Sequence, residues 1–177
     1  MNRETVRALC QLNTEFYERN AASFSQTRTA PWEGWRRCMA ACGFDDSDEA
    51  LGQSMDTQIA DSVLDIACGN LRFEAFLANT YPHVDWSFFA VDNCEPLVAS
   101  GQEDIAKKVH FTCEDIVSNL LDGLSAAEPA NTPAFAAATP FDLVVSFGFL
   151  HHIPSFDLRQ QFLLEALSQV KPGGYLV

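Results

Sequence analysis

The sequence predicts a doubly wound α/β domain, a mostly parallel sheet with helices on both faces, preceded by an N-terminal helical lid. Three observations predict it. From residue 62 onward, short apolar runs alternate with segments of helical periodicity, the pattern of buried parallel strands joined by crossover helices. Before that point the apolar residues recur at helical spacing. The chain has 177 residues, 47% hydrophobic and 20% charged, which suits one core of ordinary size and excludes a disordered chain. Residues 1–60 are read as the lid segment and 61–177 as the core.

Within the lid, Val6, Leu9, Leu12, Phe16 and Tyr17 fall at spacings of three and four, which predicts a helix with these residues on its apolar face. A second short helix, Trp32 to Ala41, follows Pro31 after a break at SFSQTRTAP. The acidic run Asp45 to Glu49 reads as solvated loop. Strands are predicted at Ser62–Ala67, Trp86–Val91, Val109–Thr112, Asp142–Phe147 and Tyr175–Val177. Helices are predicted at Phe73–Ala78, Glu95–Gln102 and Leu158–Val170, the last with Phe162, Leu163, Ala166, Leu167 and Val170 on one face. Ala126–Pro140, with three prolines and seven alanines, reads as an inserted loop.

A net charge of −13 argues against a generic nucleic-acid binder, since a polyanion is attracted by clustered Lys and Arg. The charge is uneven. Residues 1 to 37 hold six arginines (Arg3, Arg7, Arg19, Arg28, Arg36, Arg37) against four acids, and the remainder holds five bases and twenty acids. Any anionic partner is therefore expected to meet the N-terminal segment. No apolar run reaches bilayer length and the first residues lack a signal-peptide core, so secretion and membrane anchoring are disfavoured and a cytoplasmic location is expected. Six cysteines (Cys10, Cys38, Cys42, Cys68, Cys94, Cys113) show neither a CxxC pair nor zinc-ligand spacing, which predicts reduced thiols and no metal site.

Val63 to Asn70 (VLDIACGN) is a buried strand running straight into a turn of small residues and then a helix. In an open parallel sheet, ligands sit at the carboxyl ends of the strands where their order reverses, and small residues there let a ligand approach the backbone. Asp65 ends the strand, and Ala67, Cys68 and Gly69 form a floor of backbone groups. Asp92 ends the next strand 23 residues after Gly69, close to the offset at which an acid in such folds accepts hydrogen bonds from ribose hydroxyls. Asp115, after the third strand, is placed to accept an adenine amine, with Ile116 packing on the ring.

VLDIACGN, FFAVDN, CEDI, FDLVVSFGFLHHIP and LLEALSQVKPGGYLV, in this order and spacing, resemble the successive motifs of class I S-adenosylmethionine-dependent methyltransferases over residues 62 to 177. The resemblance implies a Rossmann-like core that binds S-adenosyl-L-methionine. Asp65, Ala67 and Gly69 would line its methionine end, Asp92 would bind the ribose and Asn93 the edge of the adenosine. Asp115 with Ile116 would hold the adenine, and Ser146 and Phe147 would border the sulfonium and the acceptor. This chain departs from the family at Ala67 and Leu71, where glycine is common; Leu71 is expected to point where the family keeps bare backbone, and Arg72 to lie on the surface, the alternative being that it reaches the cofactor carboxylate. A pyrophosphate-binding dinucleotide site is the competing reading, and it lacks two of the glycines of GxGxxG.

A fainter resemblance covers Tyr17 to Arg28 and Pro31-Trp32, which look like the leader of methyltransferases that esterify a carboxymethyl group on a tRNA wobble uridine. It implies that Tyr17 and Arg28 lie near the cofactor; the alternative is that Tyr17, Phe24 and Trp32 staple a helix to the core. The acidic body offers little surface for tRNA, so a small-molecule or peptide-like acceptor is expected, with a non-catalytic cofactor-binding module as the alternative. His151 and His152 follow the fourth strand at the mouth of the expected pocket, where either can take a proton from the acceptor; the alternative is helix capping and packing. Cys68 and Cys113 are expected near the cofactor wall as packing residues. The resemblance implies seven strands, of which the motifs account for five, so truncation after the fifth strand is expected, or association with a second copy through the exposed sheet edge.

Overall fold

The structure, a computed structural model, describes residues 1–44, 62–123 and 140–177. The readings for Asp45–Glu49, for the proposed insert up to Thr139 and for the boundary near residue 60 lie outside these residues. In chain order the elements are α1 (Arg3–Gln26), α2 (Glu33–Ala41), β1 (Ser62–Ile66), α3 (Arg72–Thr80), β2 (Ser87–Asp92), α4 (Glu95–Ala99) and α5 (Glu103–Ala106). They continue with β3 (Val109–Cys113), α6 (Ile116–Gly123), β4 (Phe141–Val145), α7 (Phe156–Ser168) and β5 (Val170–Leu176). The sheet order is β3-β2-β1-β4-β5, every pair parallel. The chain winds outward from β1 to β3, then returns to the other side of β1. That puts the reversal between β1 and β4.

Both faces of the sheet are covered, which is why its central strands read as unbroken apolar runs. Along β1 and β4 the side chains alternate. Leu64, Ile66 and Val144 pack with α1, α6 and α7, whereas Val63, Leu143 and Val145 pack with α2 and α3 around Trp35, Phe73 and Phe76. The same period places Asp65 on the α3 side, a burial that governs its chemistry below.

Four sequence expectations need correction. The buried stripe of α1 is Val6, Cys10, Ala21 and Ser25, with Tyr17 half-buried; Leu9, Leu12 and Phe16 face outward, Leu12 63% and Phe16 57% exposed. Its inward face carries polar side chains at Asn13 and Thr14, so hydrophobicity alone marks the wrong stripe. Helix α6 went unpredicted although its signals are in the sequence: Asp115 accepts from the Ser118 N–H and hydroxyl at the helix start, and Ile116, Val117, Leu120 and Leu121 are buried at helical spacing. Helix α7 buries Leu158, Phe162 and Ala166 and leaves Leu163 and Leu167 exposed. Finally, β5 begins at Val170 rather than Tyr175, and its register slips between Phe141 and Leu143 of β4. Gly174 makes the slip feasible, since a Cβ there would stand 2.6 Å from the Asp142 carbonyl oxygen.

Candidate active site

At the carboxyl ends of β1 and β2, beside the reversal point and roofed by α1, lies a cavity of about 360 Å³. That is the scale of a small-ligand pocket. Its wall brings together Asp65, Ala67, Cys68 and Gly69 at the end of β1 and the turn after it, Asp92 and Asn93 at the end of β2, and Asp115 and Ile116 at the start of α6. Phe147, His151 and His152 close the β4 side, and Tyr17 and Arg28 reach it from the lid. Ser146 is the exception: it does not line the cavity, and its hydroxyl donates to the Ile66 carbonyl at 3.0 Å, tying β4 to β1. Cys113 is exposed and off the wall, whereas Cys10 lines it, its thiol pushed up to about 11 by burial and the nearby Asp115 charge.

The β1–α3 turn keeps a left-handed backbone at Ala67 (φ 65°), Gly69 (φ 59°) and Leu71 (φ 57°). Two non-glycine residues thus hold the conformation that glycine adopts without cost. Leu71 does not project into the cavity as expected; it is buried with Ala75, Ala90, Val98 and Ile105 behind the turn. Gly101 permits the close approach there, since a Cβ on it would meet the Asn70 carbonyl oxygen at 2.7 Å. Ala67→Gly is therefore expected to stabilise the chain by about 1 kcal/mol through relief of strain. Denaturant unfolding checks it, and a destabilised variant would contradict it.

Asp92 spans two elements: one carboxylate oxygen accepts the Gly69 N–H at 2.9 Å and the other the Cys94 N–H at 2.9 Å. Burial raises its pKa, and the N–H donors of Gly69, Cys94 and Asn93 oppose the rise. Beneath it, Asp65 is 3% and Glu74 0% exposed. Burial holds Asp65 well above the ordinary carboxyl range, with Glu74 and Asp92 adding to it, and pushes Glu74 up to about 8. Neither carboxyl oxygen of Glu74 has a hydrogen-bond partner. Sequence reasoning missed Glu74, which looks like an ordinary helical acid until β1 and α3 are packed together.

Three side chains fasten the lid. The Asn70 side-chain amide donates to the Arg28 carbonyl at 3.3 Å, Arg72 donates to the Ala30 carbonyl at 3.1 Å, and the Asn93 amide donates to the Thr14 hydroxyl at 2.8 Å. Arg72 lies over Trp35, 4.9 Å from the ring centre, and lines the cavity, so the surface expectation for it fails. Arg28 stacks on Phe24 at 3.7 Å. The Tyr17 hydroxyl stands 3.1 Å from Nε2 of His152. Neither histidine caps α7, whose cap is Ser155.

Residues 63–174 match the model of a methyltransferase domain family. The chain belongs to that family. The match covers four of the motifs read in the sequence and the fifth up to Gly174, and begins after the leader, of which it says nothing. Among solved structures, this methyltransferase domain is similar to a DhpI–SAH complex (TM-score 0.60, 18% identity, covering 95% of this chain and 67% of that one). A DhpI–SAM–HEP complex gives 0.56 and 19%, covering 94% and 62%. The plantazolicin methyltransferase BpumL, bound to a pentazolic desmethylPZN analog and SAH, gives 0.50 and 17%, covering 96% and 58%. The chain thus spans between 58% and 67% of the length of these structures, and at such identities the likeness establishes the Rossmann-like fold. No match was found among curated protein sequences. Among the described residues no helix is long and apolar enough to cross a membrane, and no group of three or more His, Cys, Asp or Glu is placed to hold a metal ion.

Proposed function

We propose that this domain is an S-adenosyl-L-methionine-dependent methyltransferase acting on a small-molecule or peptide-like acceptor. The convergence of the β1, β2 and β3 tips on one cavity, with Asp65, Gly69, Asp92 and Asp115 on its wall, carries the reading. The chemistry of the wall fits the cofactor. Asp92 offers a carboxylate to the ribose, Asp115 and Ile116 offer an acceptor and an apolar face to the adenine, and Ala67, Cys68 and Gly69 give bare backbone near the methionine end, with Asp65 beneath and Arg28 opposite. The retained left-handed turn at Ala67 and Leu71 supports cofactor binding, a property the alternative reading of a non-catalytic cofactor-binding module shares. When bound, the cofactor supplies an activated methyl group, and the protein's part is alignment and a dry site.

The charge supports a small acceptor over tRNA. Arg3 and Arg7 pair with Asp122, and Arg19 with Glu15, which engages three of the six N-terminal arginines and narrows the basic surface. Among the described residues β5 is an edge strand with Tyr175 exposed, the place proposed for pairing with a second copy. Incubating the protein with methyl-labelled S-adenosylmethionine and separate pools of metabolites, peptides and bulk tRNA tests the acceptor class. Label is expected in the metabolite or peptide pool, and label in tRNA alone would overturn the assignment.

A further inference from the structure

On the β4 side of the cavity the lid helix meets the histidine pair through Tyr17. Tyr17 on α1 is held by edge-on contacts with Phe24 and His152, at 5.3 and 5.6 Å between ring centres, and its hydroxyl meets Nε2 of His152 at 3.1 Å. His152 packs against His151 at 3.9 Å. His151 is exposed and both rings line the cavity, so the line Tyr17, His152, His151 runs from the interior toward solvent. The leader resemblance gives Tyr17 a place near the cofactor and the motif gives the histidines a place near the acceptor; nothing in either joins them.

We propose that Tyr17 and His152 form a proton relay that takes the acceptor's proton, an inference that rests on the methyltransferase reading. The acceptor's lone pair forms the bond to the methyl carbon, and the electron pair of the broken carbon–sulfur bond stays on sulfur. The proton on the nucleophile passes to the Tyr17 hydroxyl oxygen as the Tyr17 proton passes to Nε2 of His152. Once the methylated product has left, the imidazolium passes its Nε2 proton back to the Tyr17 oxygen as the Tyr17 proton goes to solvent in the cavity, which restores neutral Tyr17 and the Nδ1–H form of His152. Burial disfavours the charged form of each ring, raising Tyr17 and lowering His152, so the dyad rests neutral. Arg28 and Asp92 also face Tyr17, with opposite effects on it, and His151 faces His152.

A relay has work to do only if the nucleophile carries a proton. The acceptor class is therefore an alcohol, a phenol or an N–H, and not the carboxylate that the leader's relatives esterify.

Nitrogen-15 NMR of the histidine side chains in the full chain tests the geometry without turnover. A Tyr17 hydroxyl donating to Nε2 fixes His152 in the Nδ1–H form, and Tyr17→Phe is expected to release it into a mixture of both tautomers. An Nε2–H tautomer in the unmodified protein, or identical spectra for the variant, overturns the relay. The labelled product must also survive mild base, whereas release of labelled methanol marks a carboxylate acceptor and overturns the proposed class. S-adenosylhomocysteine titrated in parallel separates the two levels: absent binding removes the methyltransferase reading and the relay's role with it, and binding with an unchanged tautomer removes the relay alone.

Discussion

Replacing Glu74 by glutamine is expected to stabilise the folded chain at about pH 8.5 by roughly 4–5 kcal/mol and to leave it nearly unchanged below about pH 4.5. Glu74 is fully buried, its carboxyl oxygens lack partners, and burial pushes its pKa up to about 8. Unfolded, the same group titrates near the ordinary glutamate value of 4.5. The folded state therefore binds the proton more tightly, and the stability this confers is complete below the unfolded pKa and lost as pH rises through the folded one. Glutamine keeps the shape of the protonated acid and cannot ionise, so the variant loses the slope between about pH 4.5 and 8. Asp65, which Glu74 helps to hold up, should then titrate lower. Urea unfolding at several pH values measures this. A variant no more stable than the parent protein at about pH 8.5, or less stable than it there, would show that Glu74 is not the buried acid described.

The second large effect is at Asp92. Asp92→Ala removes the acceptor for the Gly69 and Cys94 N–H groups and the carboxylate proposed for the ribose. Loss of charge-assisted hydrogen bonds of this kind costs about 1–3 kcal/mol, so affinity for S-adenosylhomocysteine should fall by roughly 5- to 150-fold, with a stability loss of similar size from the unpaired N–H groups. Asp92→Asn keeps one acceptor oxygen and should recover part of the stability but little of the affinity. Unchanged affinity in both variants would place the ribose elsewhere.

Much of the architecture was legible because it follows from local pattern. The β1, β2 and β4 runs are buried on both faces, so they appear as continuous apolar stretches wherever they are met. The lid was less legible. Helix α1 turns Asn13, Thr14 and Tyr17 toward a cavity rather than a core, and its outward face carries Leu9, Leu12 and Phe16 among the charges. Several site residues proved to have a second occupation that spacing cannot disclose. Asp92 braces the glycine turn, Asp115 caps α6, Asn93 ties down Thr14, and Ser146 bonds β1 instead of facing the cavity. Glu74 and the Tyr17–His152 pair were invisible for a related reason: they exist only through contacts across the fold, one between β1 and α3, the other between residues 135 positions apart.

In the proposed function the tips of β1, β2 and β3 together grip one adenosyl ligand. Calorimetric titration of the chain with S-adenosylhomocysteine tests it most directly. One site per chain with a dissociation constant in the micromolar range is the predicted result, and no heat at millimolar ligand from a chain whose circular dichroism shows it folded would contradict the claim.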